Sequence, residues 1–283
     1  MRWQGRRGSS NIEDRRRSGS RRGGGIQIGG LGLVAVVVIG WVLGVDVTPL
    51  LNGTPEGGFS QQSTELTEAD IQQGEFVSVT LADTEDVWAD IFAEAGGTYD
   101  PATLVLFKGV TQSPCGGASG ATGPFYCPGD TKVYLDTAFF DTLERQLGAK
   151  GDFAAAYVIA HEVAHHVQNE LGILGEANQM RAQASEAQSN AISVRVELQA
   201  DCFSGVFAVH AGARFGSIEP GDIAEAMNAA RQIGDDTLQR SAGRVPMPHT
   251  FTHGTSEQRE DWFRRGYESG EIEACDTFSA RSL

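Results

Sequence analysis

Beyond residue 25 the sequence is short of positive charge, with 14 Lys and Arg against 35 Asp and Glu. An acidic body of that size repels a phosphate backbone, which excludes nucleic acid as a partner of the main domain. Long apolar runs are equally scarce, since only one stretch is long enough to cross a bilayer, and a polytopic membrane protein is ruled out. No fixed-period repeat occurs, so a solenoid is excluded as well. Cysteine is limited to four residues in 283. What remains, 40% hydrophobic and 21% charged residues, is enough for a core of ordinary size.

The single apolar run, Ile26 to Val45, is uncharged over 20 residues; as a helix it would cover about 30 Å of hydrocarbon. It exceeds the core of a signal peptide and lacks a small-x-small cleavage site after it. Eight arginines and two acidic residues precede it, and clustered Arg beside a membrane segment stays on the cytoplasmic side. The expected organisation is therefore a basic cytoplasmic head (1–25), a transmembrane anchor (26–45), a flexible linker rich in polar residues, Gly and Pro (46–64), and an extracytoplasmic domain (65–283). Cys115, Cys127, Cys202 and Cys275 all fall in that domain, an even number in a compartment where disulfides persist. Of three possible pairings, Cys115 with Cys127 is favoured by the glycine-rich loop between them, leaving Cys202 for Cys275.

Within the domain, Thr67 to Phe92 has helical spacing and ends at Gly96-Gly97, whereas Thr103–Val110 and Thr131–Asp136 read as strands. A helix is expected from Asp152, as N-cap, to Leu171, with Gly172 as its stop. Further helices are expected over about 176–211, 219–232 and 256–269, the last docking Trp262 and Phe263, with a loop over 234–248. The fold class is α+β, mostly helical, with a small sheet ahead of the Asp152 helix.

That helix carries His161-Glu162-Val163-Ala164-His165, an HExxH pentapeptide. The four-residue spacing sets two imidazoles on one helix face, where both can ligate one Zn²⁺ at ~2.0–2.1 Å. Glu162 lies one step round, placed to take a proton from water at the metal. Burying two histidines among Val158, Ile159, Val163, Ala164 and Val167 is costly unless each finds a partner. Gln168 and Leu171 stand where a metzincin would need Gly and His. Glu197 and Asp201, one turn apart on the next long helix, instead offer a third ligand and an acceptor for the outer N–H of a ligand histidine. His166 is rotated about 100° from His165 on an ideal helix and is read as a non-ligand. His210 reads as structural. In PHTFTHGTSEQR, His253 precedes a Gly254-Thr255-Ser256 turn and is the better candidate, ahead of His249, to meet a substrate oxyanion.

CPGDTKVYLD, HEVAHHVQN, SVRVELQADCFSGVFA, HGTSEQR and the opening MRWQGRRGSSNIEDRR occur here in order. Together they resemble the neutral zinc metallopeptidase family of YpfJ type, a gluzincin-like arrangement. The resemblance implies a zincin-like catalytic domain with His161, His165 and Glu197 as ligands of one Zn²⁺ and Glu162 as general base. The expected function is a membrane-anchored zinc endopeptidase acting on peptide or protein substrates, with Lys132–Asp136 as an edge strand able to pair with an extended substrate. The competing expectation is an envelope binding protein with structural zinc, which needs a fourth protein ligand such as His166, His249 or His253. Nothing in the sequence sets the oligomeric state.

Overall fold

A computed structural model of the chain describes residues 1–17, 65–119 and 123–283. The first helix, α1 (Glu68–Glu94), starts where Thr67 and Asp70 form a capping box. Asp70 also accepts from Lys108 Nζ at 2.8 Å, tying the helix start to the end of a strand. The site-bearing helix, α3 (Asp152–Glu170), follows the short α2 (Ala138–Arg145) and begins one residue after Gly151, whose φ of 104° favours glycine. Its C-terminal stop is the left-handed Gly172.

The long helix expected over 176–211 is two helices, α4 (Ile173–Ala182) and α5 (Glu186–Phe215). Ser185 and Gln188 form a capping box between them, and two reciprocal caps favour restarting a helix over continuing it. After α6 (Asp222–Gln232), the expected loop contains a short helix, α7 (Asp235–Ser241). Its seven residues bury no side chain, so it leaves no apolar period to read. The last helix, α8 (Ser256–Ser269), crosses α5 at backbone contact through Gly205 and Gly266. A methyl group at either glycine would collide with main-chain atoms of the other helix.

The main sheet has the order β1 (Ile12–Asp14), β2 (Thr103–Phe107), β6 (Lys132–Asp136), β5 (Phe125–Cys127), with β1, β2 and β6 parallel and β5 antiparallel. The hairpin β3 (Val110–Ser113) and β4 (Gly116–Ser119) stands apart. Lys132–Asp136 is therefore an inner strand, paired with β2 along its length and with β5 over Lys132–Tyr134, so it is not the free edge expected for pairing with a substrate. The edge position beside it belongs to Phe125–Cys127. One face of the sheet supplies Leu104, Leu106, Val133 and Leu135 to the core shared with α1, α3 and α5.

The largest departure from the sequence reading concerns the basic head. Residues 1–17 are built into the domain. Ile12–Asp14 pairs with Leu104–Leu106, Met1 is buried in the core, and Arg6 makes a bidentate pair with Asp83 at 2.6 and 2.7 Å. Several of the arginines expected to mark a cytoplasmic face thus neutralise acidic groups of the domain. One membrane crossing between residues 17 and 65 would part these partners, so the expected separation of head and domain is corrected. Among the described residues no helix is long and apolar enough to cross a membrane; residues 26–45 and the linker 46–64 lie outside them. The cysteines pair as favoured, Cys115 with Cys127 and Cys202 with Cys275.

Candidate metal centre

Helix α3 carries His161 and His165 one turn apart, and α5 brings Glu197 against them. His161 Nε2 lies 3.1 Å from Glu197 Oε2, and His165 Nε2 lies 3.6 Å from Glu197 Oε1. One ligand atom from each residue falls within 4.8 Å of the other two. Donors held at ~2.0–2.1 Å around a tetrahedral zinc are about 3.3 Å apart, so the spacings here bracket that edge length. Two nitrogens and one carboxylate are also a donor set that suits zinc. The residues therefore fit the metal that the motif implies.

Behind His161 lies a buried ionic network. Asp201 Oδ1 is 2.9 Å from His161 Nδ1, a contact off the line of the ring N–H. The same oxygen accepts from Tyr157 at 2.5 Å and from Arg259 Nη2 at 3.0 Å, while Oδ2 accepts from Arg259 Nε at 2.8 Å. Arg259 is 1% exposed and Asp201 fully buried. Burial favours the neutral acid at Asp201, yet Arg259 and His161 hold its carboxyl below the usual range. Burial likewise opposes charge on His161, but Asp201 and Glu197 raise it to about 10 in the metal-free chain. Glu197 is held well below the ordinary range by His165 and His161, against its own burial. Glu162, 8% exposed, is pushed up by burial despite the two histidines.

His165 has a different support, its Nδ1 lying 2.8 Å from Gln168 Oε1. His166 is turned away from the cluster, 2.6 Å from the Asp100 carbonyl and 3.2 Å from the Tyr126 hydroxyl. His210 contacts the Gly270 carbonyl at 2.9 Å. The main-chain carbonyl of the exposed His249 accepts from Asn190 Nδ2 at 3.1 Å. His253 is about half exposed, with Nδ1 3.2 Å from Asp235 Oδ1. Asp235 Oδ2 also accepts the main-chain N–H groups of Thr252, His253 and Gly254, so one carboxylate shapes the whole turn. His253 is near enough to Glu197 for their charges to interact.

Sequence reasoning missed Tyr157, Gln168, Asp235 and Arg259. A signal existed for Arg259, because Ser256, Arg259, Phe263 and Gly266 share the buried stripe of α8 at helical spacing. A lone arginine there needs a buried acid. Gln168 and Asp235 carry no such sign.

Comparison with known proteins agrees with this constellation. The family profile described as "Putative neutral zinc metallopeptidase" matches residues 1–278. The chain belongs to this family. YpfJ, an uncharacterized protein of Escherichia coli strain K12, is 49% identical over 287 residues, covering 98% of this chain and 99% of YpfJ. Rv2575 of Mycobacterium tuberculosis, also uncharacterized, is 44% identical over 197 residues, 65% of each chain. No solved structure matches. The family match begins at residue 1, so it includes the head that the structure places in the sheet.

Proposed function

We propose that this protein is a zinc metallopeptidase that hydrolyses peptide bonds, with His161, His165 and Glu197 as the ligands of one zinc ion and Glu162 as general base. The observation that carries the reading is the convergence of three protein donors, and no fourth among the described residues, beside a buried carboxyl. Three protein ligands are the mark of a catalytic zinc site; a structural site is closed by four. That count disfavours the binding-protein reading: of its candidate fourth ligands, His166 is held by Asp100 and Tyr126, and neither His249 nor His253 brings a ring nitrogen into the three-donor cluster.

Zinc at this position would supply a Lewis acid for the scissile carbonyl and lower the pKa of water there. Glu162 takes the proton of the attacking water and passes it to the leaving amine, a role suited to a carboxyl whose burial raises its proton affinity. Asp201, fixed by Arg259 and Tyr157, orients His161. With Nδ1 engaged by Asp235, Nε2 is the nitrogen that His253 can offer to the developing oxyanion. We further place the domain and its first 17 residues together in an oxidising compartment. Two disulfides and the pairing of β1 with β2 support that placement.

The test is zinc content and cleavage of a mixed peptide library by the full chain and by Glu162→Gln. One zinc in each, with cleavage by the wild type alone, is the expected outcome. Zinc bound without wild-type cleavage overturns the peptidase reading, and no zinc in the wild type overturns the site.

A further inference from the structure

His165 is supported by a chain of amides with a fixed direction. Gln168 Oε1 faces His165 Nδ1 at 2.8 Å, and Gln168 Nε2 donates twice, to the Val196 carbonyl at 2.8 Å and to Gln199 Oε1 at 3.0 Å. Gln199 Nε2 in turn donates to the Cys275 carbonyl at 3.1 Å. Gln168 has no measurable exposure and Gln199 has 5%.

The two main-chain carbonyls decide which way each amide points, because a carbonyl can only accept. Cys275 O demands the nitrogen of Gln199, which turns Gln199 Oε1 toward Gln168. Val196 O and Gln199 Oε1 both demand the nitrogen of Gln168, which turns its oxygen toward His165. An oxygen at 2.8 Å requires a proton on His165 Nδ1. Nε2 then keeps its lone pair on the side of Glu197, in the tautomer a metal ligand needs. Flipping either amide would set oxygen against oxygen in a buried space. The far end of the chain is covalently held, since Cys275 is bonded to Cys202, one residue after Asp201 on α5.

We propose that Gln168 and Gln199 are positioning residues for His165, anchored on the disulfide-held Cys275 carbonyl, so that zinc retention depends on the Cys202–Cys275 bond. The proposal rests on the zinc reading of the site. The amides touch no metal and act only through the ring they orient.

The experiment compares full-length wild type with Gln199→Leu, which alters neither a ligand nor a neighbour of His165. Zinc affinity is read by chelator competition, and the His165 tautomer by nitrogen NMR of the zinc-free protein. Gln199→Leu is expected to bind zinc about 10-fold more weakly, the lower end of the effect usual for a metal's outer partners. Its zinc-free His165 should show mixed tautomers where the wild type shows Nδ1–H alone. Thiol reduction of the wild type should move both readouts the same way. Unchanged affinity and tautomer in a folded Gln199→Leu would overturn the proposal. If that variant does not fold, Gln199→Asn, one methylene shorter, and the reduced wild type decide by the same criteria. Absence of zinc from the wild type would instead sink the metal site itself, while the tautomer would still report on the amides.

Discussion

Arg259 is the residue whose removal tells most. It is the buried guanidinium partner of Asp201, so Arg259→Met leaves that carboxylate in the core with only Tyr157 and His161 beside it. Breaking one side of a buried pair costs about 3–5 kcal/mol, and urea unfolding of the zinc-free variant should show a loss of that order. Arg259→Lys should recover only part of it, since one ammonium cannot reproduce the bonds from Nε and Nη2. A variant as stable as wild type would show that Asp201 is charge-balanced by another group. At this scale the sequence exposed what chemistry ties to fixed spacing: His161 with His165, and Glu197 with Asp201, each one helical turn apart. It concealed the pairing of Arg259 with Asp201, 58 residues away, although the helical spacing of Arg259 with Phe263 and Gly266 marked it as buried.

Among the elements, α1 offers a test by pH. Lys108 and then Thr67 hold Asp70, at its N-terminus, down to about 2 from an ordinary 3.8. A depressed carboxyl contributes stability that is present above its unfolded value and is lost as pH falls through the folded one. Wild type and Asp70→Asn should therefore differ most in urea midpoint above pH 4 and converge as pH falls toward 2. A gap that stays constant with pH would mean that the cap acts by shape alone. The helix itself was legible from Val87, Trp88, Ile91 and Phe92. The break between α4 and α5 was not, because Ser185 lies in a polar, Ala- and Gln-rich stretch where a capping box resembles any other turn of surface helix. Strand Lys132–Asp136 was recognisable from its alternation, but its inner position depends on β5, three residues long and set by the Cys115–Cys127 loop.

For the whole molecule, the first 17 residues change what counts as the domain. A fragment starting at residue 65 lacks β1, the Arg6 partner of Asp83 and the core contribution of Met1. It should melt below the full chain, and a peptide of residues 1–17 added in excess should raise its midpoint. No response to the peptide would mean that the contact depends on residues 18–64. The same contacts predict that cysteines placed at Ser10 and at Ser279 react with a membrane-impermeant maleimide from one side of the bilayer. Opposite sides would restore a cytoplasmic head. That arrangement was hidden in the sequence because eight arginines beside an apolar run satisfy the rule for membrane orientation, whereas the acidic partners of Arg2, Arg6 and Arg7 are distant in the chain.

The pairing of Ile12 with Leu104 also sets an order of events during synthesis. The ribosome releases β1 first, but its neighbouring strand follows only after the whole apolar run and α1 have been made. Asp222, which takes the Met1 ammonium, emerges 221 residues behind it. The earliest of these segments to be translated is thus among the last to be seated.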